Sequence, residues 1–171
     1  AEKATNRAGT TRVFSASSQQ IIASPSFDGT IEVAGNAWIG RSVQVAGDTF
    51  GGAPAPTKTY QWLLCDNLYA PGHEERPDDC VTISSADATT NTLAVVDDYE
   101  THYLMVEVTA TNIAGELIER SGAMALVKRI PVNVTAPSVT GTAGLNQELT
   151  ADPGTWSGTE PMRFEYQWFR C

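Results

Sequence analysis

Apolar and polar residues alternate along this chain in short runs, and Gly, Pro and Asp interrupt the runs. Alternation with a period of two puts successive side chains on opposite faces of an extended strand. It predicts strands at Thr30–Ala34, Arg41–Val45, Thr57–Leu64, Val81–Ser84, Thr92–Val96, Tyr103–Thr111 and Leu117–Val127. In the third, Tyr60, Trp62 and Leu64 share one face, while Lys58 and Gln61 suit exposed positions. In the sixth, Leu104, Val106, Val108 and Ala110 point one way, and Met105, Glu107 and Thr109 the other. No stretch of about ten residues carries a helical period. Short strands spaced by turns imply an all-β, two-sheet sandwich with Tyr60, Trp62, Val106 and Val108 in its core.

The pattern also repeats. Shifted by 106 residues, the chain matches itself without a gap at 16 of 65 overlapping positions. "ATNRAG" (Ala4–Gly9) falls on "ATNIAG" (Ala110–Gly115), Pro25 on Pro131, and "YQW" with Cys65 on "YQW" with Cys171. The expected organisation is therefore the C-terminal end of one repeat at 1–27, a complete repeat at 28–133, and the N-terminal part of a third at 134–171. Tyr166 and Trp168 are then core residues of the third repeat. The two end segments together lack counterparts of residues 66–106, so on their own they cannot rebuild a module. The connector "KRIPVNVTAPSV", with two prolines and several β-branched residues, is expected to be semi-rigid.

Composition narrows the role. Hydrophobic residues make up 42% of the chain, enough for a packed core. Twenty acidic against eleven basic residues give a net charge of −9, which repels phosphate backbones and anionic lipid, so no nucleic-acid partner is expected. No apolar run reaches the roughly 18 residues of a membrane span, so no membrane insertion is expected either. The first ten residues carry no apolar signal core.

A Trp on the third strand, followed some way on by "VEVTATNIAG", resembles the immunoglobulin-like superfamily, whose sixth strand commonly runs Cys-x-Ala-x-Asn-x-x-Gly. Val108, Ala110, Asn112 and Gly115 hold that spacing. Val108 stands where the inter-sheet cysteine would be and "RSVQV" offers only valines, so aliphatic packing must replace the usual core disulfide. The runs Gly154–Gly158 ("GTWSG") and Tyr166–Cys171 ("YQWFRC") are more closely similar to the tandem Ig-like repeats of bacterial, especially actinobacterial, secreted and surface proteins. The resemblance covers nearly the whole chain. It implies a fold more than a function, because sandwich modules host many roles.

There are three cysteines. Cys65 closes the third strand and Cys80 opens the fourth, and a bridge between them would tie down the polar excursion between, which has no core of its own. Two free thiols in a reducing compartment are the alternative. A single pair with few histidines nearby is not a zinc pattern, and an oxidising setting (extracellular, cell surface or virion surface) fits a bridge. Cys171, the counterpart of Cys65, has no mate at the corresponding spacing.

Candidate chemistry is sparse. His73, Glu74, Glu75, Asp78 and Asp79 crowd one loop, a candidate calcium or ligand loop, since calcium prefers several oxygen ligands. The fixed D-x-D-x-D-G spacing is absent, and a solvated acidic loop is the other reading. His102, beside Asp97, Asp98 and Glu100, suits a structural turn. No nucleophile elbow or H-E-x-x-H pair occurs, and adjacent Asp97 and Asp98 point apart on an extended chain, so no catalytic residue, resident cofactor or metal centre is expected. Trp38 and Tyr69 are candidates for exposure, and Trp156 for the plug at a sandwich end. The expected role is a non-enzymatic extracellular tandem repeat: a stalk, adhesin shaft or filament building block whose partners are neighbouring repeats or subunits of the same protein. A glycan- or host-receptor-binding module using the loop from Cys65 to Cys80, and a phage virion surface or tail module, are the alternatives.

Overall fold

A computed structural model describes residues 1–16, 20–72 and 75–170. In chain order its strands are β1 (Glu2–Asn6), β2 (Gly9–Val13), β3 (Ala23–Phe27), β4 (Glu32–Ala34), β5 (Ser42–Ala46), β6 (Phe50–Ala53), β7 (Thr57–Cys65), β8 (Cys80–Thr82), β9 (Thr92–Ala94), β10 (Tyr103–Asn112), β11 (Gly115–Arg120), β12 (Ala125–Leu126), β13 (Val132–Asn133), β14 (Ser138–Gly141), β15 (Leu149–Asp152) and β16 (Trp156–Ser157). Two short 3-10 turns, Ala86–Thr89 and Asp97–Tyr99, are the only helical pieces among the described residues. The fold is all-β, as the alternation predicts.

Two sheets face each other in the middle of the chain. One runs β11-β10-β7-β8, with β12 also on β10; the other runs β4-β5-β9, and β3 pairs with β6. The named strands of these sheets all pair antiparallel, and an isolated parallel bridge joins Trp38 to Lys128. This is the two-sheet arrangement of an immunoglobulin-like sandwich. Between the sheets lie Trp62, Leu104, Val106 and Val108 from one side and Ile31, Val43, Leu93 and Val95 from the other, all essentially fully buried. Burying side chains of this size contributes about 1.5–3 kcal/mol each, and Trp62 loses nothing to desolvation of its ring N–H, which donates to Thr90 O at 2.9 Å. Tyr60 belongs to this core only by its ring. Its hydroxyl reaches the edge and donates to Asp48 Oδ2 at 2.7 Å.

Several expectations change. The single strand expected over Leu117–Val127 is two, β11 and β12, because Ser121 turns the chain inward. Its buried hydroxyl accepts from Val106 N–H at 2.9 Å and donates to Gly122 O at 3.0 Å. Strands β3 and β6 were not anticipated, since Pro25 and the Gly51–Gly52 pair read as breakers. β3 pairs with β6 and so belongs to the central sandwich, which begins before residue 28. Likewise β13 pairs with β16, so residues 132–133 lie with the segment that follows. Tyr166 and Trp168 are half exposed, at 55% and 53%, and are not core residues here. Trp62 is enclosed between the two sheets, whereas among the described residues nothing encloses Trp168 in the same way.

The end segments pair by themselves. β1 and β2 form a sheet of their own, as do β13 with β16 and β14 with β15. Their registers are those of the central sandwich displaced by 106 residues. Asn6↔Gly9 answers Asn112↔Gly115, Ser138↔Asp152 answers Glu32↔Ala46, and Asn133↔Trp156 answers Phe27↔Phe50.

Candidate functional site

The loop from Cys65 to Cys80 is anchored at its base. The two cysteines pair across β7 and β8 and are joined by a disulfide spanning 15 residues of sequence. Contrary to expectation, the loop does have a core. Leu63, Cys65, Cys80, Met105 and Ala123 form a second buried cluster, with Tyr69 and Tyr103 packed against it. The outer face of β7 and β10 is thus covered by the loop rather than by water. Tyr69 N–H donates to Ala123 O at 3.3 Å, and its hydroxyl donates to Asp79 Oδ1 at 2.6 Å. Gly122 lets the loop approach: a Cβ there would stand 2.7 Å from Tyr69 O and 3.0 Å from Pro71 N. The backbone and side-chain amides of Asn67 both donate to Asp79 Oδ2, at 3.1 and 2.9 Å.

Asp79 is consequently an internal acceptor. The hydrogen bond from Tyr69 holds its carboxyl below the usual value of 3.8, against a smaller desolvation effect, and Asn67 adds to the lowering. Glu75 and Asp78 are exposed. His73 and Glu74 lie outside the described residues. Among those described, no three His, Cys, Asp or Glu side chains converge as a metal site. Arg76 reaches across to Glu107 Oε1 at 3.0 Å, and Arg120 Nε donates to Glu107 Oε2 at 2.7 Å, which ties the loop to β10 and β11.

A second polar cluster was missed by sequence reasoning. It sits where the central sandwich meets the segment that follows. Lys128 still belongs to the sandwich: its N–H donates to Ala37 O and its carbonyl accepts from Ile39, both at 2.9 Å. The next residue already belongs to the following segment. Arg129 N–H donates to Thr159 Oγ1 at 2.7 Å, and Thr159 N–H returns to Arg129 O at 3.1 Å. Thr159 Oγ1 donates onward to Glu100 Oε1 at 2.8 Å. The Arg129 guanidinium bonds Asp97 Oδ1 at 2.8 Å and Glu100 Oε2 at 3.2 Å, and these contacts raise its pKa above the ordinary value, Asp97 first. The available signal was the basic pair Lys128–Arg129 set against the acidic run Asp97, Asp98, Glu100.

The remaining candidates are structural. His102 Nδ1 lies 3.1 Å from Glu100 O and Nε2 lies 3.4 Å from Asp66 Oδ1. Trp38 is 40% exposed, and Tyr69 is half-buried. Trp156 Nε1–H donates to Pro153 O at 2.9 Å, and its ring lies 6.1 Å from that of Phe164. Beside them is an open groove of about 310 Å³ lined by Pro131, Trp156, Thr159, Met162 and Phe164. Cys171 lies outside the described residues. No helix among the described residues is long and apolar enough to cross a membrane. Comparison with protein-family models, with curated proteins and with solved structures found no match to this chain.

Proposed function

We propose that this chain is a non-enzymatic piece of an extracellular tandem array of immunoglobulin-like sandwiches, serving as a stalk, adhesin shaft or filament building block. The observation that carries the reading is the displacement of 106 residues shared by sequence and strand register, with pairings at both ends answering pairings in the middle. The junction supports it: Lys128 bonds one body and Arg129 the next, and Glu100 with Asp97 braces the step. Modules joined without spacer residues transmit position along an array, which is what a shaft requires. The disulfide supports export, since such bonds persist in oxidising compartments. The similarity of Gly154–Gly158 and Tyr166–Cys171 to bacterial surface repeats points the same way.

Small-angle scattering tests it directly. A rod-like chain has a radius of gyration well above the roughly 16 Å of a compact 171-residue globule. A compact particle would sink the shaft reading. A second reading, recognition of a surface glycan or receptor, is favoured by one observation: the base of the loop is anchored by the Cys65–Cys80 disulfide and by Tyr69 bonded to Asp79 and packed on the second cluster.

A further inference from the structure

We propose that the flank of the central sandwich binds an extended peptide strand, apolar where it enters and basic rather than acidic at its ends. The site is a groove of about 320 Å³ between β4 and the chain just before β12, lined by Ile31, Glu32, Val33, Gly35, Met124 and Ala125. Its origin is a change of sheet. Over Glu32–Ala34 the chain is paired with β5. Gly35, at φ 104°, takes a left-handed conformation that costs glycine little, and Trp38 N–H donates back to Asn36 O at 2.7 Å. The chain thereby crosses to the other sheet, where Trp38 makes a parallel bridge with Lys128. Lys128 N–H donates to Ala37 O, and Ile39 N–H donates to Lys128 O, both at 2.9 Å. Carried four residues back, that parallel register would set Met124 N–H on Val33 O and Gly35 N–H on Met124 O. Neither bond forms, because β4 is held by β5, and the groove occupies the place between.

Alternation identifies the backbone groups left open. Val45 N–H donates to Asn91 O at 2.9 Å and Val95 N–H to Arg41 O at 2.8 Å. β5 therefore bonds β9 through its odd-numbered residues and β4 through its even ones. Val33, opposite Val45, turns its N–H and C=O away from β5 and towards the groove. On the facing wall Ala125 pairs with Leu104 and Val127 N–H donates to His102 O, so Met124 turns its N–H away from β10. Open N–H and C=O groups along a sheet edge are a template for a further strand. The other edge of the same sheet is closed by side chains. On β9, Ala94 N–H donates to Asp87 Oδ2 at 2.7 Å, and Thr92 N–H and C=O both meet Thr90 Oγ1, at 3.2 and 2.7 Å. The β4 edge has no such caps among the described residues.

The lining selects the partner. A strand entering here offers peptide groups to both walls and an apolar side chain to Ile31 and Met124, while Pro71 of the disulfide loop stands at the rim. Glu32 is the charged residue of the lining, in a chain of net charge −9, which favours lysine or arginine in the partner over aspartate or glutamate. Both walls belong to the central sandwich, and none of the joint residues Asp97, Glu100, Arg129 and Thr159 lines the groove.

Amide NMR of the 171-residue chain tests the proposal. The probes are blocked heptapeptides that alternate threonine with valine, isoleucine or phenylalanine and carry lysine at both ends. In the free protein the amides of Val33 and Met124 should exchange with solvent about tenfold faster than those of Thr92 and Ala94. At least one peptide should shift Val33, Gly35 and Met124 saturably, with a Kd of about 1 mM or tighter. N-methylating that peptide along one edge, which removes donors and keeps side chains, should weaken binding at least about tenfold. Glu32→Lys should weaken the lysine-ended peptide about threefold at low salt and strengthen its glutamate-ended counterpart. Absence of a saturable shift at these amides with every peptide overturns the proposal. Equal binding of the N-methylated peptide does so too, since the groove would then take side chains or small apolar molecules alone. Slow exchange of Val33 and Met124 in the free protein also counts against it, because the walls would already be paired. Shifts of the same amides with protein concentration alone would give the groove to a second copy and overturn the peptide assignment.

Discussion

Asp48 holds two side chains of β7 at once. Its Oδ2 accepts from Lys58 Nζ at 2.6 Å and from the Tyr60 hydroxyl at 2.7 Å. Burial by itself would raise the carboxyl pKa, but the hydrogen bonds from Lys58 and Tyr60 together outweigh it and leave the value below 3.8. A depressed carboxyl stabilises the fold above its unfolded value and ceases to do so as pH falls through the folded one. Asp48→Asn should therefore cost about 1–2 kcal/mol near pH 7, a range discounted for partial exposure, and the gap from the parent should narrow as pH falls from 7 to well below 3.8. Urea unfolding at the two ends of that range measures it, and a gap constant with pH would assign the brace no electrostatic share. At this scale the sequence was legible where a side chain is apolar and alternates: Trp62, Val106 and Val108 are buried as expected. Polar partners such as Asp48 with Tyr60, or Thr159 with Glu100, are fixed by tertiary proximity, which carries no local periodicity.

Among the elements, strands with clean alternation were readable and those built around Pro or paired Gly were not. β3 tolerates Pro25, and its register with β6 shifts between Ala23 and Ser26. The loop beyond β7 was misjudged for a different reason. Leu63 and Met105 sit on the face away from Trp62, and alternation assigns that face to solvent unless something folds over it. The two off-pattern apolar residues were the hint that something does. Replacing both Cys65 and Cys80 by Ala should cost about 3 kcal/mol from the 15-residue closure. Amide exchange of Asn67 and Tyr69 should rise while that of Val106 and Val108 stays slow. A loss below about 0.5 kcal/mol, the scale of an ordinary surface substitution, would mean that the second cluster alone holds the loop.

For the whole molecule the decisive place is the step from Lys128 to Arg129. Thr159→Ala removes the hydroxyl that links Arg129 N–H to Glu100, and the backbone should accept it because alanine, Ala53, stands at the answering position of the central sandwich. The unfolding free energy of the central sandwich should stay within about 0.5 kcal/mol of the parent. Residual dipolar couplings should show a wider spread of orientations between the two bodies, and an unchanged spread would assign the joint to backbone contacts alone. The 106-residue self-match is visible in the sequence, because turn glycines and the "YQW" triplet recur at one spacing. The joint is not, since Arg129 and Thr159 answer to Ala23 and Ala53 and so have no echo in the other copy. The disulfide has a mechanical consequence. When a pull on both termini breaks the central sandwich, the 15 residues behind Cys65–Cys80 stay out of the load path. At roughly 3.5 Å per extended residue, the oxidised chain then pays out about 5 nm less length than the reduced one. A thiol-reducing environment would thus set how far the chain stretches before it goes taut.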